Sequence, residues 1–515
     1  MYVTRRQYPD SLFAVCAATF AIFVMKLSGS FGEKPWRDEI ISIAVAQTEN
    51  YMNIIHAVYT GIDATPPTFI TIEWLVLAIF GRELSPLILI RAINVALLAL
   101  TFVNLNKICQ FFVDRRTSIL GLAIFASINS GRLISLAIEA RTYTLYMLAA
   151  SLGMLCALRF VEKPSKRILI HLSLSLLLLV ATHTFGVIYA VIIGGSLTTV
   201  TMARLGHSRA VQVAAACAPA GLLFLIWAPI MAHQSQLGSW IVAPDVPVLL
   251  SAYWLSPSSI GVFITAGCIL FLQNEKGHLR RAVRLAKFSF VTLVVAGVTG
   301  ATMLIGLFSK IVFPIYVQRY FFPNLLITLI PCLIFATWVL KMRRHKIQWR
   351  IVLAATAVLL CCISWTNKVR STRIQCRALT DNLLPLGRTI ITPNLDIWLT
   401  MLNDKWIKVL GVVDEDTFHG SSIYRFEQKY LRAFSDTLGI GSIVHRSELI
   451  LSSENFSILD ESSSSWAKDL QSNSKFAVVL RNEEDGCKLW DVTRANQTEA
   501  AFDKFGNSFL PDRRP

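Results

Sequence analysis

Charge is what this sequence has least of. Only 16% of its 515 residues are Asp, Glu, Lys or Arg, against about a quarter in a soluble globular chain. Apolar residues make up 54% and the mean hydropathy is +0.53. This balance excludes an ordinary soluble domain and fits a polytopic membrane protein. Carboxylates are especially few in the apolar part: residues 1–370 hold 13 of the 33, none clearly at mid-membrane. Ion-coupled transporters usually need one there, so that class is disfavoured. The ten cysteines contain no Cys-x-x-Cys pair or other metal-ligand spacing. No small-residue cleavage site follows the first apolar run, 11–29, which reads as a retained span rather than a signal peptide.

The formal net charge of +16 would suggest nucleic acid in a soluble chain, but its distribution excludes that partner. Residues 1–370 carry 32 Lys and Arg against 13 acids, whereas residues 371–515 carry 17 against 20. The basic excess lies in the membrane half, where cytoplasmic loops collect it.

Runs of spanning length occur near 11–29, 86–108, 117–134, 143–160, 168–183, 186–203, 211–231, 258–273, 288–308, 323–340 and 351–365. The apolar segment "PPTFITIEWLVLAIFG", which contains Glu73, is short. If it does not cross, 21 cations fall inside and nine outside up to residue 365; if it crosses, the later loops swap sides and the positive-inside rule fails. The expected fold is therefore an α-helical polytopic membrane protein of about 11 transmembrane helices. Residues 1–370 form the membrane domain, with interfacial helices in a first external loop over 30–85. Residues 371–515 form a small extracytoplasmic α/β domain. The N-terminus is expected in the cytoplasm.

In the tail, "GRTIIT", "WIKVLGVV" and "KFAVVL" read as strands, "DIWLTML" and "EQKYLRAFSDTL" as helices, and Ser-rich "SSENFSILDESSSSW" as a loop. Cys376 and Cys487, the only cysteines there, could form a disulfide if the tail is outside. Asn455 and Asn496 begin Asn-x-Ser/Thr matches, which occur often by chance.

Seven of the nine external carboxylates of the membrane half lie in the first external loop. Among them Asp38 and Glu39, in "KPWRDEIISIAVAQ", open an amphipathic stretch with Ile40, Ile41, Ala44, Val45, Met52, Ile55 and Tyr59 on its apolar side. Such a helix would lie at the interface. Asp38 and Glu39 could be a helix cap and a first-turn acid, or they could be chemical groups. Other external loops carry Glu139 and Arg141 in "IEARTYTLY", His183 in "THTFG", and Lys310 and Arg319 in "SKIVFPIYVQRYFFP". The cations could be interfacial anchors and His183 a capping or packing residue. Together, carboxylates from one loop and cations from others suit sugar transfer from a lipid-linked phosphate. One carboxylate would deprotonate the acceptor hydroxyl, and arginines would bind the departing phosphate.

"WRDEIISIAVAQ", "ATPPTFITIEWLVLAIFG", "LILIRAINVALLAL", "EARTYTLYMLAA", "THTFG" and "QRYFFP" resemble the integral-membrane, C-type (GT-C) glycosyltransferases of the protein-mannosyltransferase and lipid A aminoarabinose-transferase kind. The resemblance covers roughly residues 30–340, and Thr65 stands before the proline pair where the pattern often has histidine. It implies an isoprenoid-phosphate sugar donor, inversion at the anomeric carbon, Asp38 as base and Glu39 as its partner. Arg141, Arg319 and Lys310, with Glu139 and His183, would bind donor phosphate or acceptor. The expected partners are a polyprenyl-phosphate sugar, membrane lipid, and a glycan, lipid or protein acceptor. No cofactor is required; a divalent metal is compatible with the carboxylates, although no spacing argues for one. A transporter, flippase, polymerase or ligase of polyprenyl-linked sugars is the alternative. The basic loops fit a bacterial inner membrane with the tail in the periplasm.

Overall fold

A computed structural model describes residues 24–31 and 115–126 in part, 37–80, 84–113, 129–235, 244, 278–312 and 315–326. In the tail it describes 389–392, 409–413, 442–445, 456–461, 470–484 without 472, and 487–494. Two compact units divide the chain: residues 1–33, 64–233 and 241–371 form one, and residues 34–63, 234–240 and 372–515 the other.

Helices α1 (Arg37–Ala46) and α2 (Tyr51–Tyr59) belong to the second unit. The first unit is built from α3 (Thr68–Phe80), α4 (Pro86–Cys109), α5 (Ser130–Ile138), α6 (Tyr143–Glu162), α7 (Lys166–Thr182), α8 (Gly186–Leu205), α9 (His207–Ser235) and α10 (His278–Ile311). Helices α4, α6, α8, α9 and α10 are long and apolar enough to cross a membrane, so the protein is a multi-pass integral membrane protein. At 13 residues, α3 is only about 20 Å long, short of a hydrocarbon core of about 30 Å. The expected spans at 11–29, 258–273, 323–340 and 351–365 lie outside the described residues, or almost wholly so.

Helix α6 is the axis of the first unit, and α4, α5, α7, α8 and α10 pack against it. Nearly all its side chains are buried, including Tyr143, Tyr146, Leu158 and Phe160. With lipid as solvent there is little hydrophobic gain from helix contact, so close packing must hold such a bundle. Gly194 on α8 serves this: a Cβ there would come within 2.6 Å of the Cys217 sulfur on α9. Polar ties fasten the C-terminal end of α6. The Lys287 ammonium from α10 lies 2.9 Å from Glu162 and 4.5 Å from the centre of the Phe111 ring, and Arg204 donates to the Val161 carbonyl.

In the second unit, the expected single amphipathic stretch is two helices. Gln47–Asn50 interrupts it, because the Asn50 side chain caps α2 by accepting from the Met52 N–H at 2.9 Å. The apolar positions then divide. Ile40, Ile41, Val45, Ile54, Ala57 and Val58 are buried, whereas Met52, Ile55 and Tyr59 are exposed, spaced three and four residues apart along one face of α2.

The tail contains a six-stranded sheet: β1 (Thr389–Thr392), β2 (Val409–Val413), β3 (Ser442–His445), β4 (Phe456–Glu461), β5 (Phe476–Glu484) and β6 (Cys487–Arg494), in the order β3-β2-β1-β4-β6-β5. The neighbouring pairs from β3 to β4 are parallel, and β6 runs antiparallel between β4 and β5. Three strands are those read in the sequence. The Ser-rich "loop" is a correction: its Phe456–Glu461 portion is β4, a central strand with Phe456, Ile458 and Leu459 buried. Flanking serines hide a short apolar core that is stabilised by pairing on both edges rather than by its own composition. The two expected tail helices lie outside the described residues. Cys487 is disulfide-bonded, with its partner outside the described residues.

Candidate functional site

Three chain breaks of the first unit converge. The first separates α5 from α6. Helix α5 ends at Ile138, and Glu139 turns extended (φ −71°, ψ 111°). The Arg141 N–H closes a tight turn onto the Glu139 carbonyl at 2.7 Å. Thr142 then precedes α6, its hydroxyl donating to the Thr182 carbonyl at 3.0 Å. This bond ties the first break to the second.

The second break is "THTFG". His183 ends α7 in extended conformation, and Gly186 opens α8. The turn is so close that a Cβ on Gly186 would sit 2.0 Å from the Leu179 carbonyl oxygen, so only glycine fits. The Nδ1 of His183 accepts the Phe185 N–H at 3.1 Å, which leaves Nε2 as the protonated nitrogen of the neutral ring. The ring is buried, 2% exposed. The ring is stacked on Tyr146, with centroids 4.8 Å apart at 18°, and Tyr320 lies 5.0 Å away. His183 thus caps and packs while presenting a buried N–H that has no hydrogen-bond partner among the described residues.

The third break is a 3-10 turn, Gln318–Phe321. The hydroxyl of Ser309 near the end of α10 accepts the N–H groups of Ile315 and Tyr316, both at 2.9 Å, and Tyr316 stacks on Phe321 at 5.0 Å. The turn brings Arg319 to 3.7 Å from Glu139 and 5.8 Å from the Tyr143 ring centre. Glu139, Arg141, His183 and Arg319, up to 180 residues apart in sequence, thus form one polar cluster among aromatic rings. It lies at the N-terminal end of α6, opposite the Glu162–Lys287 end.

Lys310 does not join them; it is exposed in the last turn of α10. Asp38 and Glu39 occupy the first turn of α1 in the second unit. Asp38 is half-buried and Glu39 is buried, 2% exposed. Among the described residues no group of three or more His, Cys, Asp or Glu side chains is placed to hold a metal ion.

The sequence reading missed Asn94 of α4 and Thr144 of α6. The Asn94 amide donates to the backbone carbonyls of Glu139 and Arg141, and its oxygen accepts from the Thr144 hydroxyl. A signal existed: an asparagine inside an apolar span is a functional candidate by default.

No family model and no curated protein matches the chain. Among solved structures it is similar to ArnT from Cupriavidus metallidurans bound to undecaprenyl phosphate, with 11% identity, a TM-score of 0.49, and coverage of 94% of this chain and 98% of that one. It is also similar to the Archaeoglobus fulgidus oligosaccharyltransferase in complex with Zn and sulfate, with 9% identity, a TM-score of 0.48, and coverage of 93% and 73%. A third is the archaeal oligosaccharyltransferase AglB from the same organism in complex with an inhibitory peptide and a dolichol-phosphate, with 10% identity, a TM-score of 0.47, and coverage of 94% and 74%. At these scores the residues, not the likeness, carry the functional reading.

Proposed function

We infer that the protein is a membrane glycosyltransferase that moves a sugar from a polyprenyl-phosphate-linked donor to an acceptor hydroxyl at the outer membrane face. The observation that carries this reading is the cluster of Arg141, Arg319, Glu139 and His183 at one end of a bundle whose core is otherwise largely apolar. Guanidinium groups match phosphate oxygens in planar, bidentate fashion. A site among spanning helices is also where a lipid-borne phosphate can arrive with its tail still in the bilayer. The neutral His183 contributes Nε2–H, a donor that adds no charge. Glu139 keeps the Arg319 guanidinium oriented while phosphate is absent.

Asp38 is the proposed base. It takes the acceptor proton as the hydroxyl oxygen bonds to the anomeric carbon, and the bond from that carbon to the lipid-phosphate oxygen breaks. The phosphate leaves with the electron pair, so no general acid is required, and attack opposite the leaving group inverts the anomeric centre. Glu39, buried beside it in sequence, orients the acceptor or a cation. Lys310, exposed at the end of α10, is proposed to meet lipid phosphates rather than the reacting one.

Mass spectrometry of envelope glycolipids tests the reading, comparing cells that lack the protein with cells complemented by wild type or Asp38→Asn. A glycan short by one sugar in both the null and the point mutant is the expected result. A wild-type profile from Asp38→Asn would make Asp38 a helix cap and remove the proposed base.

A further inference from the structure

We propose that Asn94 is the positioning residue of the polar cluster, setting the backbone that carries Glu139 and Arg141. The inference rests on the glycosyl-transfer reading for its consequence, but its geometry stands independently. Asn94 lies in the third turn of α4, fully buried. A primary amide in such surroundings is unfavourable unless its donors and acceptor are used. Here they are used on a single target. The nitrogen donates to the Glu139 carbonyl and, at 3.4 Å, to the Arg141 carbonyl. The oxygen accepts from Thr144 on the far side of the same break.

The reason the break needs a clamp follows from the helices it separates. Ending α5 and restarting α6 frees carbonyls that a continuous helix would satisfy internally, and no bulk water is available within a membrane bundle. Within the turn the Arg141 N–H bonds to the Glu139 carbonyl, and Asn94 adds a hold from outside it. Without Asn94, the Glu139 and Arg141 carbonyls each lose a donor that comes from a neighbouring helix, and the peptide planes are released to rotate. The Glu139 and Arg141 side chains would rotate with them. An aspartate in its place would keep the acceptor for Thr144 but set a carboxylate against two carbonyl oxygens.

The test has two readouts on the full-length protein in detergent. Hydrogen exchange followed by mass spectrometry reads the clamp without any ligand. Asn94→Ala should speed exchange in peptides covering 139–146 by tenfold or more, while peptides of α8 and α10 stay as in wild type. Thr144→Val, which frees only the amide oxygen, should show a smaller change in the same peptides and keeps the test open if Asn94→Ala folds poorly. Unchanged exchange at 139–146 would overturn the proposal.

Binding of undecaprenyl phosphate then reads the consequence through a double-mutant cycle. Asn94→Ala should weaken binding about tenfold in the wild-type background and less than twofold when Arg141→Ala is already present. Equal losses in both backgrounds would mean that Asn94 does not act through Arg141, and would overturn the proposed role. If Arg141→Ala and Arg319→Ala leave binding unchanged while the local exchange still rises, the clamp stands and the phosphate reading fails.

Discussion

His183 combines the local physics of the cluster in one side chain: it ends α7, accepts the Phe185 N–H at 3.1 Å and stacks on Tyr146. His183→Ala removes both the acceptor and the stacked ring, so a loss of about 2 kcal/mol is expected, read as a lower thermal midpoint. An unchanged midpoint would show that the ring neither caps nor packs. Arg319→Lys tests a different property. It keeps the charge but removes the planar fork that meets Glu139, so donor use should weaken by about tenfold with little change in stability, as read from initial rates against donor concentration. Unchanged donor dependence would make Arg319 an interfacial anchor.

At the scale of elements, the turn between α7 and α8 makes the strongest demand on sequence. Gly186→Ala would place a methyl 2.0 Å from a backbone oxygen, and backbone yields less readily than side chain, so a loss of about 3 kcal/mol is expected. Because His183 is fixed by the same turn, activity should fall along with the melting temperature. An unaltered melting curve would mean that the turn opens without cost. The motif "THTFG" was visible in the sequence, but the reason for its glycine was not, since that depends on Leu179 one turn back. The same distinction runs through the fold. Strands β1, β2 and β5 announce themselves by β-branched and apolar runs, whereas β4 is surrounded by serines and becomes a strand because neighbours pair with both its edges. The acid pair and the arginines could be found as charges in a chain poor in charge. Asn94 and Thr144 could not be assigned partners, because their hydrogen bonds join α4 to the break between α5 and α6, and no local periodicity encodes that meeting. The interruption between α1 and α2 was written in Asn50, a good capping residue, but the apolar pattern on either side concealed it.

For the whole molecule, the decisive question is which side of the membrane each end occupies. The Glu139–Arg141–His183–Arg319 cluster and the Glu162–Lys287 pair lie at opposite ends of α6, a 20-residue helix about 30 Å long, so the two polar ends cannot share a surface. In the proposed topology, which rests on charge parity, the Lys287 end faces the cytoplasm and the arginine cluster faces outside. The tail supplies an independent argument, because Cys487 is disulfide-bonded and such bonds persist in oxidising compartments. Both lines predict that Ser463→Cys, in the Ser-rich segment after β4, reacts with a membrane-impermeant maleimide in intact cells or spheroplasts. A cysteine introduced at Gln212, in the second turn of α9, should react only after permeabilisation. The disulfide makes its own prediction within the same topology. Cys487→Ser should lower the stability of the tail by about 2–4 kcal/mol, read as earlier proteolysis of the sheet while the helical unit survives. Protection of position 463 in intact cells would place the tail inside. Labelling at position 212 before permeabilisation would invert the helical unit and move the arginine cluster to the cytoplasmic face, where a donor displayed outside could not reach it.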